Sequence, residues 1–237
     1  MLLPQGIVAQ AAATAAFPTF AALEARGRFN ELRHTISSTL RGVLFLTIPA
    51  AAGLFVWRVP LIRMLLERGE FTARSTQMTA AALAFFAFGL IGHSVVEIVA
   101  RAFYALHDTR TPVVVGVGAM TLNVLLSVLL IQPLQHAGLA LANTVATSIE
   151  MVLLLWLLAR RLGGLEWPQL SATILRAGVA TLVMVVPLAW AMRRWSSDSP
   201  VLVGVAGLVV AATLYLVTAL FLRMPEVQVI RQLGARR

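Results

Sequence analysis

Residues 112–134 read PVVVGVGAMTLNVLLSVLLIQPL, a run of 23 positions without one charged side chain. As an α-helix rising 1.5 Å per residue it would span about 35 Å, enough to cross the ~30 Å hydrocarbon core of a bilayer. Upstream, Met78 to Ala100 repeats the pattern, and downstream Gly138 to Leu158 does so again. Only the short connections His107 to Thr111 and Gln135 to Ala137 separate these three runs, which predicts three successive transmembrane helices.

Working outward, Ala172 to Met192 and Val201 to Leu222 form two more spans around the polar turn Arg193 to Pro200. The first span, from about Leu2 to Ala22, is the least apolar and carries Gln5, Gln10, Thr14 and Thr19, which predicts that it faces protein or water rather than lipid. Between it and the third span, Gly42 to Trp57 is only 16 residues long. Extended back to Ile36 it becomes a second span, with Arg41 expected to snorkel toward the headgroups. The stretch 24–41 is amphipathic and basic. Residues 58–71 put Leu61, Ile62, Leu65 and Leu66 on one helical face and Arg63 and Glu67 on the other, as in a short interfacial helix. The fold expected is therefore all-α and polytopic, with about seven transmembrane helices. Residues 1–165 hold five spans, 166–222 two more, and 223–237 a basic tail.

Composition agrees. Apolar residues make up 59% of the chain and charged residues 12%, with mean hydropathy +0.85, against roughly 25% charged in a soluble domain. The net charge of +9 does not indicate nucleic-acid binding. All 19 basic residues are arginine, and most lie near the ends of apolar runs, where membrane proteins place positive charge. With no cysteine there is no disulfide framework and no thiolate metal site. The chain opens without a positively charged leader or cleavage site.

Seven spans divide the arginines between two sides. Arg26, Arg28, Arg33, Arg41, Arg110, Arg160, Arg161, Arg176, Arg223, Arg231, Arg236 and Arg237 fall on one side, and Arg58, Arg63, Arg68, Arg74, Arg193 and Arg194 on the other. The excess puts the carboxy terminus in the cytoplasm and Met1 outside. An external amino terminus at the edge of a span implies further spans upstream of Met1.

Ionisable groups inside spans are functional candidates by default, because lipid makes them costly. His93, Glu97 and Arg101 are spaced i, i+4, i+8 and share one helical face, with Gly89 above and Tyr104 nearby. This stripe reads either as an interfacial ion pair plus a bonded histidine or as a cavity wall meeting an anionic substrate. Milder stripes are Gln10 and Thr14 with Gly6 and Pro18, Asn123 with Ser127, and Asn143 with Thr147 and Glu150. Small and polar residues also mediate helix packing, so each stripe has a structural reading too. No zinc-protease motif, phosphate-binding loop or nucleophile elbow occurs, so neither enzymatic activity, a metal nor a cofactor is expected.

Arg68-Gly-Glu-Phe-Thr72, Arg101-Ala-Phe-Tyr-Ala105 and Asp108-Thr-Arg-Thr-Pro-Val113, in this order and at these separations, resemble the carboxy-terminal half of the MurJ (MviN) lipid II flippase family. Leu3-Pro-Gln-Gly-Ile7 with Pro18 resembles its eighth helix, and His136-Ala-Gly-Leu139 its connection between helices eleven and twelve. The likeness covers about residues 1–165. It implies a fourteen-helix transporter of the MOP exporter superfamily, of which this chain holds helices eight to fourteen, in the bacterial cytoplasmic membrane. The implied substrate is a lipid-linked peptidoglycan precursor, moved by alternating access. The family's recognised arginines belong mainly to the first lobe, so no essential residue carries over. Such a transporter works at the interface of its two halves, so this chain is expected to need an amino-terminal lobe as partner. The alternatives are another polyprenyl-glycan or drug exporter of the superfamily, and a membrane interaction protein that transports nothing. In the last case the basic segments 29–41 and 224–237 would be docking surfaces, although attraction to anionic membrane lipids also explains them.

Overall fold

The computed structural model describes residues 9–66, 72–194 and 200–227, with side chains described outside 190–206. It contains α1 (Ala11–Ala25), α2 (Phe29–Leu66), α3 (Ala73–Ala105), α4 (Arg110–Arg161), α5 (Trp167–Arg194) and α6 (Pro200–Phe221). Helix α4 is continuous only in its hydrogen-bond pattern. Gln135 at φ 51, ψ −130 reverses the chain and divides α4 into two arms, 110–134 and 136–161. Counting both arms gives seven rods among the described residues.

The arms run antiparallel because their sequences allow close contact. A Cβ on Gly138 would collide with the Leu130 carbonyl, and one on Gly116 would lie 3.5 Å from Glu150 Oε1. Other reversals use left-handed residues as helix stops. After α1, Gly27 takes φ +66 while its N–H donates to the Glu24 carbonyl and that of Arg28 to the Leu23 carbonyl. His107 takes φ 58 after α3, where the Asp108 N–H reaches back to the Phe103 carbonyl.

Helix α2 differs from the sequence reading. It runs unbroken for 38 residues, about 57 Å, which exceeds the ~30 Å bilayer core by about five turns in all. The basic segment from Phe29 and the stretch from Arg58 to Leu66 are therefore continuous with the span, and Pro49 and Pro60 are accommodated within it. The rest of the expected interfacial helix, 67–71, lies outside the described residues, as do residues 1–8 of the first span and 228–237 of the tail.

Two cores form along α2. The first gathers Ala13 and Phe20 of α1, Leu32, Ile36 and Leu40 of α2, Ile98 and Phe103 of α3, and Leu154 and Leu158 of the second α4 arm. The second joins Phe45 of α2 to Ala177, Ala180 and Met184 of α5 and Tyr215 and Ala219 of α6. In lipid, burying an apolar side chain against another gains little over burying it in acyl chains, so small residues and close packing decide which helices associate. The α3–α4 contact shows this. Gly89 and Gly92 of α3 bring Thr144 and Thr147 so near that a Cβ would approach them to 2.9 and 3.2 Å.

Much of the remaining apolar surface is open. Val114, Met120 and Leu129 of the first α4 arm are each about 70% exposed, as expected of a lipid-facing helix. Phe29–Leu66, Ala73–Ala105, Arg110–Arg161 and Trp167–Ala189 are each long and apolar enough to cross a membrane.

Candidate functional site

The polar residues of α3 and the second α4 arm form a seam inside the helix bundle. The close approach at Gly89 and Gly92 carries His93 to the facing arm, where its Nε2 lies 3.1 Å from Asn143 Oδ1 and 3.4 Å from Thr147 Oγ1. Thr144 Oγ1 donates to the Phe85 carbonyl at 2.8 Å and pins the same contact a turn away. Glu150, about two turns beyond Asn143, is half-buried beside Gly116 of the first arm and within electrostatic reach of His93. His93 and Asn143 thus meet although they stand 50 residues apart, with Glu150 farther along the same arm.

The other sequence candidates sit apart from this seam. Arg101 donates to Glu97 Oε1 from Nη2 at 2.9 Å and from Nε at 3.2 Å, two bonds converging on one oxygen within α3, and the two side chains are each about a quarter exposed. Asn123 accepts from Ser127 Oγ at 3.4 Å on the first α4 arm. The hairpin register that sets Gly116 against Glu150 and Leu130 against Gly138 puts Asn123 at the level of Asn143. Gln10 and Thr14 stand on the uncovered face of α1, where the Thr14 hydroxyl donates to the Gln10 carbonyl at 2.8 Å.

A second polar cluster was not anticipated from the sequence. Arg41 is not left open at the end of the bundle. Its side chain is only 13% exposed and lies between two carboxylates, with Nη1 3.7 Å from Glu166 Oε2 and Nε 3.7 Å from Glu226 Oε1. Its hydrogen bond goes to Gln169 Oε1. His34 Nδ1 meets Glu166 Oε1 at 2.9 Å, the Glu166 N–H donates to Ser37 Oγ, and Thr173 donates to Glu226 Oε1 at 2.8 Å. The start of the basic tail is consequently folded in, with Met224, Glu226 and Val227 buried. The available signal was the placement of Glu166 and Glu226, two of only ten acidic residues, directly at span ends crowded with arginine.

The same end of the bundle holds a third cluster. Asp108 accepts from the Thr111 N–H at 3.0 Å, the Thr111 hydroxyl at 2.8 Å and Arg161 Nη1 at 2.5 Å. The Thr111 N–H bond is the leading cause that holds the Asp108 carboxyl below its ordinary value, with the Arg161 guanidinium adding to it against the opposing effect of burial. Arg161 also reaches the Leu106 carbonyl, so the cluster closes the base of the α4 hairpin. His107 lies 3.6 Å from Glu24. These ion pairs join connections that the arginine count places on one side.

Fold and site together define an all-α polytopic membrane protein whose helices pack around intramembrane polar side chains. The family described as "Lipid II flippase MurJ" matches residues 1–221, and the chain belongs to that family. It is 33% identical over 239 residues to the probable lipid II flippase MurJ of Rhizobium tropici, covering 97% of this chain and 45% of the relative. It is 32% identical over 202 residues to that of Rhizobium meliloti (strain 1021), covering 84% and 38%. Against the relative from Vibrio cholerae serotype O1 the identity is 29%, over 95% of this chain and 44% of the relative. A solved structure, "Lipid II flippase MurJ, inward closed conformation", has a TM-score of 0.79 over 94% of this chain and 45% of that one, at 23% identity, and shares its fold. The chain thus spans less than half the length of these relatives.

Proposed function

We propose that this chain supplies the carboxy-terminal portion of a lipid II flippase and forms one wall of the path by which a lipid-linked peptidoglycan precursor crosses the bacterial cytoplasmic membrane. The observation that carries this reading is the uninterrupted family match from residue 1 to 221, joined to a shared fold over 94% of the chain. An amino-terminal lobe is the partner that would complete the path, since a repeat-built transporter holds its substrate between its halves. The uncovered polar face of α1, with Gln10 and Thr14, is the surface such a lobe or the substrate would meet. His93, Asn143 and Glu150 stiffen the wall behind it, and Glu97 and Arg101 stand toward the arginine-rich end, where an anionic pyrophosphate would enter. That end is the cytoplasmic one in this reading, with anionic lipids of the inner leaflet around its arginines.

Expression in cells depleted of their own flippase tests the proposal. The chain alone should fail to restore peptidoglycan synthesis, and the chain joined to an amino-terminal half should restore it. A joined protein that reaches the membrane in normal amounts and still fails would overturn the reading. In the joined protein, Glu97→Ala and Arg101→Ala are expected to lower membrane levels more than flipping per molecule, because the two side chains bond each other along α3. Normal levels with flipping abolished would instead place both at the substrate.

A further inference from the structure

We propose that Arg41 is a two-position switch, exchanging between Glu166 and Glu226 and so setting where the α5–α6 pair rests against α2. Arg41 stands 3.7 Å from each carboxylate, too far for a hydrogen bond to either, and bonds Gln169 instead. One cation thus serves two anions at the open end of the same helical hairpin, Glu166 before α5 and Glu226 after α6.

Three unmet bonds meet here. Arg41 Nε, Glu166 Oε2 and Glu226 Oε2 are all buried without a hydrogen-bond partner. Buried polar groups are ordinarily satisfied, and a cluster of exceptions marks strain or an alternative arrangement. Closing Arg41 onto one carboxylate as a bidentate pair would satisfy Nε and one free carboxylate oxygen at once, but only by releasing the other carboxylate. Two arrangements of similar bonding are therefore available, as a bistable element requires.

The rest of the contact can follow such an exchange. Helices α5 and α6 pack chiefly on α2 and on each other. The anchors farther along are Tyr215, whose hydroxyl donates to the Phe45 carbonyl at 2.6 Å, and Gly207 against Trp57. Near the switch, Thr173 holds Glu226 to α5 while Ser37 and His34 hold Glu166 to α2. Release of Glu226 from Arg41 would therefore leave the α6 end tied to α5 alone, and release of Glu166 would leave that segment tied to α2.

The chain has no cysteine, so spin-label pairs can be introduced without background. The exposed positions Leu46 of α2, Leu175 of α5 and Val217 of α6 give two pairs, 46–175 and 46–217. Distances would be read by pulsed electron paramagnetic resonance on the full chain in nanodiscs. Wild type should give a broad or double distribution. Glu166→Gln should collapse it to the arrangement with the shorter 46–217 distance, and Glu226→Gln to the arrangement in which that distance is longer. If either variant fails to insert, Glu166→Asp and Glu226→Asp, which keep the charge and shorten its reach, should shift the populations in the same two senses by less. Distributions that match wild type, or that move the same way in both variants, would overturn the proposal.

Discussion

At the scale of the residue, Asp108 shows how a motif that suggests a family also does physical work. It accepts the Thr111 N–H at the start of α4 and holds Arg161 at its end, so one carboxylate caps a helix and closes a hairpin. Its folded value is depressed below 3.8, so its contribution to stability is complete above that value and is lost as pH falls through the lower folded value. Asp108→Asn should therefore weaken the protein at neutral pH and flatten the decline of its melting temperature as pH falls below about 4. Melting curves in detergent across that range check this, and an unchanged acid decline would show that other carboxylates govern it. Asp108 was legible as part of a motif, but its partner Arg161, 53 residues away, was not.

At the scale of the element, glycine decides which helices touch. Gly138→Ala would drive a methyl into the Leu130 carbonyl, and the hairpin would have to open by shifting backbone, at a cost of about 1–3 kcal/mol. Gly118 lies in the same hairpin with nothing within 4 Å of where a methyl would sit, so Gly118→Ala should be neutral or stabilise by roughly 0.5–1 kcal/mol through helix propensity. Membrane yield and apparent Tm of the two variants, measured side by side, should differ in that order. Equal behaviour would mean that the arms are not packed as described. The helical period and the apolar run lengths made the elements themselves readable. The unbroken length of α2 was not readable, because its ends are amphipathic and local pattern cannot tell a long helix leaving the bilayer from a span followed by a separate surface helix.

At the scale of the whole molecule, the bundle sorts its connections into two ends. Ion pairs link Asp108 with Arg161 and Arg41 with Glu166 and Glu226, and His107 lies beside Glu24, so three connections and the start of the tail lie together at the arginine-rich end. Gln135 marks a reversal at the other end. The proposed cytoplasmic placement of that arginine-rich end predicts that Gln135→Cys reacts with a membrane-impermeant maleimide in intact spheroplasts, and His107→Cys, 82% exposed at the opposite end, only after permeabilisation. The reverse pattern would invert the topology. The same two-ended arrangement explains why the arginine count was informative: a charge beside a span has to stay on the side where its connection lies.

Sequence by itself determined that this chain is a set of membrane-crossing helices, where their apolar stretches lie though not the full length of α2, and which family it belongs among. Each of those follows from local hydropathy, length and motif order, which need no knowledge of neighbours. Only the tertiary structure decided which polar side chains meet. His93 finds Asn143 across 50 residues because Gly89 and Gly92 let two helices approach, and Arg41 is covered because Glu166 and Glu226 fold over it. In lipid such partners are chosen by close packing between distant segments, and that choice is not written in any one stretch of the chain.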